Sequence, residues 1–302
     1  MTAATAEKEK PMYRKTALFC ILALLAGVSG GCSETPAPAD STAETQAVTE
    51  AKPVSKELYY ITGNGTTAAA DVSDFRAQLE TDGYVWHETT LSDIPADADA
   101  IIVNAPTQDI TKEEMNSLNA YMNEGGHMLL LLPAYEEDTE FKYLSQFLEP
   151  YCIAFDYNRI AETDASRTLN GDMYYVQTDY INRPDNMPLY SSAQDAGIVH
   201  FRDARSFHYL YQDHFSTVKQ DVILKTAASV VGEPYGGQED DPLTYEETAL
   251  SVMGFARNET LANASIVFVG AADFLENSNY SDENCAPAAA WVHSSLDWFV
   301  LY

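Results

Sequence analysis

Residues 97–133 constrain the fold more than any other stretch. Two short apolar runs, Ala-Ile-Ile-Val at 100–103 and Met-Leu-Leu-Leu-Leu at 128–132, flank one polar segment. Runs of that length without polar alternation suit strands buried on both faces. The segment between them predicts a single helix. Thr111 followed by Glu114 is a capping box, in which hydroxyl and carboxylate reciprocally satisfy backbone donors at the helix start. Met115, Leu118 and Met122 then recur at helical spacing, and Gly125-Gly126 supplies the left-handed turn that ends the helix. A strand, helix, strand unit with a crossover of this length joins parallel strands.

The chain begins with a leader. Lys8, Lys10, Arg14 and Lys15 precede an apolar run at 17–28 that is too short to span a bilayer and fits the core of a signal peptide, expected over residues 1–31. Residues 1–11 read as an upstream extension, because Met12-Tyr13-Arg14-Lys15 would itself start an ordinary signal sequence. The run ends in Ser29-Gly30-Gly31-Cys32, which resembles the lipobox of bacterial lipoproteins, with Ser29 where that pattern usually has leucine. The resemblance implies that Cys32 becomes a lipidated N-terminus; ordinary signal-peptidase cleavage nearby is the alternative. Residues 32–55 are rich in Ala, Thr, Pro, Glu and Ser and have too few large apolar side chains to offset ordering entropy, so a disordered tether is expected there. The ordered domain is then 56–302.

Charge narrows the partners. The 302 residues carry 17 basic and 46 acidic side chains, a net charge of −29. A surface this acidic repels nucleic acid and anionic headgroups, so membrane association is expected through the lipid anchor alone. Cys20 lies in the leader and Cys32 is the expected anchor. That leaves Cys152 and Cys285 outside the cytoplasm, where they either pair as a disulfide or remain two isolated buried thiols.

The rest of the chain repeats the alternation of strand and helix. Leu58 to Ile61 predict a first strand closed by a Gly63-Asn64-Gly65 turn, which lacks the further glycines of a phosphate-cradling fingerprint and reads as a tight turn, with no cofactor implied. Val72, Phe75 and Leu79 mark a helix and residues 84–87 a strand; Phe141, Leu144 and Leu148 mark another helix, stopped by Pro150, and residues 152–155 the next strand. From about 156 to 246 the rhythm loosens into short apolar runs at 173–176, 199–201 and 222–224, read as a β-rich insertion ending in an exposed acidic loop at 232–241. Strands are expected again at 249–255 and 265–269, and a final helix at 287–300 with Pro287 in its first turn. The expected fold is α/β, a doubly wound and mostly parallel sheet of the flavodoxin or class I glutamine amidotransferase kind.

Several of these runs carry a resemblance. Asp99-Ala100-Ile101-Ile102-Val103-Asn104-Ala105-Pro106, the Thr111 helix and the stretch from Gly125 through Leu132 are similar to the GldG-like, gliding-motility-type auxiliary family of ABC transporters. So are Leu148-Glu149-Pro150-Tyr151-Cys152-Ile153, with Cys152 where the family commonly has glycine, Ile223-Leu224-Lys225-Thr226, and the stretch from Ser265 through Phe274, with Ala271 where it often has aspartate. The resemblance implies a class I glutamine-amidotransferase-like fold. It also implies a place on the extracytoplasmic face of a bacterial membrane, beside an ABC transporter permease and, indirectly, its ATPase.

Amidotransferases place a nucleophilic cysteine on a glycine-flanked elbow just after a central strand. Here the strand at 128–132 runs into Pro133-Ala134-Tyr135, with no thiol or aliphatic hydroxyl at the turn, so no enzyme activity is expected. His200, Asp203, His208, Asp213 and His214 match no metal-ligand spacing and alternate with aromatics like a half-buried strand; no metal site is assigned. Open α/β sheets bind at the carboxyl ends of their strands, which nominates Asn64, Asn104, Tyr135 and Asp273 for a ligand or partner, with capping of the following turn as the plainer role of Asp273. The function expected is a non-catalytic lipoprotein that recognises its transporter; the alternative is a cell-surface module for a small ligand or carbohydrate, whose tyrosine-rich middle would supply stacking platforms.

Overall fold

The structure, a computed structural model, describes residues 56–135, 140–181, 191–210, 217–234 and 248–301. The leader, Cys32, the tether, Asp213, His214 and most of the acidic loop lie outside the described residues. No helix among those described is long and apolar enough to cross a membrane.

The strand, helix, strand unit sits at the centre. β1 (Lys56–Ile61) leads through α1 (Ser73–Thr81) to β2 (Tyr84–Thr89), and β3 (Ala100–Asn104) through α2 (Lys112–Asn123) to β4 (His127–Leu131). Every residue of β3 is buried, as are the last four of β4, because helices cover both faces of these strands. At the start of α2 the Thr111 hydroxyl accepts from the Glu114 amide at 3.2 Å, and the Glu114 carboxylate accepts from the Thr111 amide at 2.7 Å. Thr111→Ala removes the hydroxyl that accepts from the Glu114 amide and is expected to lower stability by about 1 kcal/mol in urea melts.

After β4 the chain runs through α3 (Lys142–Leu148), β5 (Ile153–Phe155), β6 (Asn158–Glu162), β7 (Thr168–Leu169), β8 (Asp172–Tyr180), α4 (Ser191–Gln194), β9 (Val199–Arg202), β10 (Phe207–Tyr209), β11 (Val218–Thr226) and β12 (Val230–Pro234). It closes with β13 (Ser251–Asn258), β14 (Ala264–Val269), α5 (Asn277–Tyr280) and α6 (Ala286–Leu301). Twelve of these strands form one sheet; nine run in the order β2-β1-β3-β4-β14-β13-β11-β8-β7, while β9 pairs with β8 and β10 joins β5 to β13. The pairings from β2 to β14 are parallel; from β14 outward they are antiparallel.

The sheet is therefore mixed rather than mostly parallel. The chain returns to the central strands through a tight turn between β13 and β14, with Ala262 and Asn263 at positive φ, so β14 enters parallel to β4 while β13 hangs antiparallel on its far side. Two local expectations also change. The strand expected at 152–155 starts at Ile153, after Cys152 at φ 55°, and joins the sheet only at its margin through β10. Gly232 to Pro234, expected in the acidic loop, belong to β12, which pairs with β6; an edge position tolerates the proline.

Side chains divide into two cores. On one face Phe75 and Leu79 of α1 and Trp291 and Leu296 of α6 meet Leu58, Tyr60 and Ile102. On the other, Leu118 and Met122 of α2 and Leu144 and Phe147 of α3 meet Ile101, Val103 and Leu130. Cys285 belongs to the first core, whereas Cys152 lies between Tyr151 and Ile153 of the second; both are free and buried, so the disulfide is not formed.

Candidate functional site

Asn64, Tyr135 and Asp273 follow the carboxyl ends of β1, β4 and β14, and Asn104 is the last residue of β3, but the chain itself closes that edge in two places. The first closure lies between β1 and β3. Gly63-Asn64-Gly65 runs through positive φ at all three residues, and Ala105 follows β3 at φ 51°. These bends bring the loops into contact. The Thr107 and Gln108 amides both donate to the Asn64 carbonyl, at 3.1 and 3.0 Å, and the Thr67 amide donates to the Asn104 carbonyl at 3.0 Å. Asn64 also donates its side-chain amide to Glu114 Oε2 at 3.1 Å, while Asn104, fully buried, donates to the Tyr60 hydroxyl at 3.1 Å. Burial pushes the Tyr60 phenol up to about 12. A Cβ on Gly65 would lie 1.9 Å from Thr107 Oγ1, so the loops have no room between them.

The second closure covers β4 and β14. Residues 203–206, supplied by the insertion, lie across the strand ends. The Ala134 amide donates to the Asp203 carbonyl at 2.9 Å, and the Arg205 amide donates to the Gly270 carbonyl at 2.8 Å. Asp203 holds the bend at φ 48°. A Cβ on Gly270 would meet the Arg205 carbonyl oxygen at 2.0 Å, which explains glycine here on steric grounds alone. Arg205 is fully buried, and its guanidinium faces the rings of Tyr135 (5.6 Å), Phe155 (5.4 Å) and Tyr157 (5.7 Å). Burial raises the pKa of the Tyr135 hydroxyl, and Arg205 only partly offsets it. The turn after β4 is thus filled by the partly buried Tyr135 and the buried Arg205.

Asp273 lies beside this strap. Burial holds its carboxyl up to about 6; Arg202 pulls it down, while Asp203 and Glu276 push it further up. Tyr175 and Cys285 share a 3.2 Å hydrogen bond nearby, and both sense the Asp273 charge. Burial raises the pKa of both the Cys285 and Cys152 thiols, so neither is activated as a thiolate. Burial thus works against the charged form of the Asp273 carboxylate, a kind of perturbation that clusters at functional sites.

Among the described residues of the histidine cluster, His200 and His208 stand on separate strands with different partners. His200 on β9 sets its ring edge-on to Tyr175 at 6.0 Å, whereas His208 on β10 bonds Asp156 through Nδ1 at 2.7 Å. Asp156 also accepts from the Ser206 hydroxyl, and Asn158 donates to that hydroxyl at 2.9 Å. The carboxylate therefore stands between serine and histidine, the reverse of the order that activates a serine, and Ser206 is fully buried. No group of three or more metal-ligating side chains occurs among the described residues.

A cleft of about 590 Å³ beside β1 and α1 is lined by Thr62, Thr66, Thr67, Ser73 and Arg76. Its polar groups are largely occupied: Thr62 donates to the Thr89 carbonyl, Thr66 to Ile61 and Gly63, and Arg76 pairs with Glu80 at 2.8 Å. Sequence reasoning missed Tyr175 and Arg205 and weighed Asp203 only with the histidines; all three reach the edge from the insertion, where no periodicity or motif announces a contact with β4 or β14.

No family model matches the chain, and no curated protein does. Among solved structures it is similar to the mmIFT52 N-terminal domain, at a TM-score of 0.57 and 12% identity, over 82% of this chain and 98% of that domain. It is also similar to a ThuA-like protein from Bacteroides uniformis, at 0.44 and 15% identity over 81% of this chain and 90% of that one. A third similarity is to PurLQS from Thermotoga maritima, at 0.43 and 13% identity over 81% and 99%. What this chain shares with the first of these is its fold, an α/β architecture on a large mixed sheet.

Proposed function

We propose that the chain is a non-catalytic, lipid-anchored extracytoplasmic protein of the GldG-like kind that acts by recognising a protein partner, the permease of an ABC transporter. The observation that carries the non-catalytic part is the strap at 203–206: it occupies the strand ends where related folds place their chemistry, and main-chain bonds to Ala134 and Gly270 hold it there. The parallel order β2-β1-β3-β4-β14 is that of flavodoxin-like doubly wound sheets, which supports reading the fold as the amidotransferase-like one the resemblance implies.

Recognition is assigned to the outer surface of the closed carboxyl edge, with Asp273 as its charged contact. A carboxylate held partly out of water is poised to gain when a partner supplies a cation. Cys32 would hold the domain at the membrane through residues 32–55. The test is co-purification of the full-length protein, Cys32 intact, from gently solubilised membranes of its native host. Recovery of a permease together with its ATPase is expected; recovery of the protein alone at good yield overturns the reading. The Thr62 to Arg76 cleft is the best place for the alternative, a small-ligand or carbohydrate module, and that reading requires ligand-dependent stabilisation of the domain.

A further inference from the structure

The β2-to-β3 connection lacks a helix. Both neighbouring connections of the parallel sheet contain one, α1 on the first face and α2 on the second, whereas residues 90–99 cross the second face as an irregular segment held by Leu91, Ile94 and Ala98. The space left between this segment and α2 is a groove of about 670 Å³. Ile94, Ala96 and Ala98 line one wall, Ser117, Ala120 and Tyr121 the other. Its lining follows α2 from Ser117 to Glu124, about two turns. The alanines and serine let a helix backbone approach closely.

The charged group of the lining is acidic, and exposed carboxylates lie beside it, with Lys112 at the far start of α2. Glu124 is the only ionisable carboxylate or cation within the lining; Asp93 and Asp97 are exposed residues interleaved with the first wall, and Glu113 is exposed one turn before Ser117. We propose that this groove docks an amphipathic helix of a protein partner, which lays alanine-sized and leucine-sized side chains against Ala98 and Ala120 and extends lysines or arginines to Asp93, Asp97 and Glu124. The docked helix takes the place of the crossover helix the chain does not have. This surface is separate from the carboxyl edge, and the inference stands whether or not that edge recognises a transporter.

The probe is a fluorescent peptide of roughly 14 residues, about four turns, with an alanine and leucine stripe, lysines on the other face and a photo-cross-linker in the stripe. Its counterpart carries glutamate for every lysine. Titrated against the full chain, the lysine peptide is expected to bind, to weaken with salt, and to cross-link to residues 94–98 and 117–124. Ala120→Trp, at an exposed position, fills the groove and is expected to weaken binding about ten-fold. The double variant Asp97→Asn, Glu124→Gln leaves the shape intact and is expected to weaken it about three-fold and flatten the salt dependence. Cross-links outside the groove, equal binding by the glutamate peptide, or unchanged binding in both variants would overturn the proposal.

Discussion

Gly270→Ala is expected to destabilise the domain by about 3 kcal/mol, the upper end for forcing one carbon into a packed site. Gly270 sits where β14 passes under the strap, and its added Cβ would face a backbone carbonyl at 2.0 Å, an atom that cannot rotate away. The variant must lift Arg205 off the strand end, breaking the Arg205 amide bond to Gly270 and straining the Ala134 bond to Asp203. Gly83→Ala is the comparison. Gly83 has φ 90° and nothing within 4 Å of an added Cβ, so that change acts through the dihedral alone and should cost about 1 kcal/mol. Denaturant melts of the two variants separate the effects; a Gly270→Ala protein as stable as wild type would mean that the strap does not seal the edge.

The second large effect is a pair of opposed titrations. His127 opens β4 with its ring stacked flat on Phe299 at 5.1 Å, and burial, reinforced by the Arg257 charge, lowers its pKa to about 4 from 6.5. Between those values the unfolded chain binds a proton that the folded one refuses, so this stability is present above 6.5 and lost as pH falls through 4. Asp273 runs the other way. Its folded pKa of about 6 exceeds the ordinary 3.8, so the folded chain binds the extra proton and is favoured by acidification across that window. Each shift amounts to about 3 kcal/mol by linkage, and in the wild type the two largely cancel.

Single variants expose them. Asp273→Asn removes the buried charge and is expected to raise stability by about 3 kcal/mol at pH 7, an advantage that vanishes by pH 4. His127→Phe keeps an aromatic ring against Phe299 and leaves Asp273 unopposed, so that variant should gain about 3 kcal/mol on going from pH 7 to pH 4. His293, whose pKa is raised chiefly by its Asp297 partner, titrates in all three proteins and drops out of the comparison. Urea melts at pH 4, 5.5 and 7 measure it; parallel profiles for wild type and Asp273→Asn would contradict the assignment.

The sheet centre was legible because burial on both faces turns its strands into unbroken apolar runs, and α2 because a capping box and a glycine pair punctuate it. The direction of the outer strands was not. An apolar run such as 222–224 reads the same in either direction, and only long-range pairing places β11 antiparallel on β13. The binding edge was half legible. Asn64 and Asn104 do come together through their loops, as strand-end positions should, but the crevice they mark is closed by hydrogen bonds between turns that are far apart in sequence. Asp273 was identified by its charge and position. The burial that gives it interest comes from packing against the insertion and α6, which no local pattern encodes.

In the function proposed above, Asp273 is kept, at a loss of stability, for contact with a partner. Comparing what the wild type and Asp273→Asn recover from solubilised native membranes, with both proteins at equal abundance and Cys32 intact, tests this most directly. The wild type should bring down an ABC permease and its ATPase, and the more stable variant should bring down several-fold less. Equal recovery by both proteins, or recovery of neither transporter component by the wild type, would contradict it.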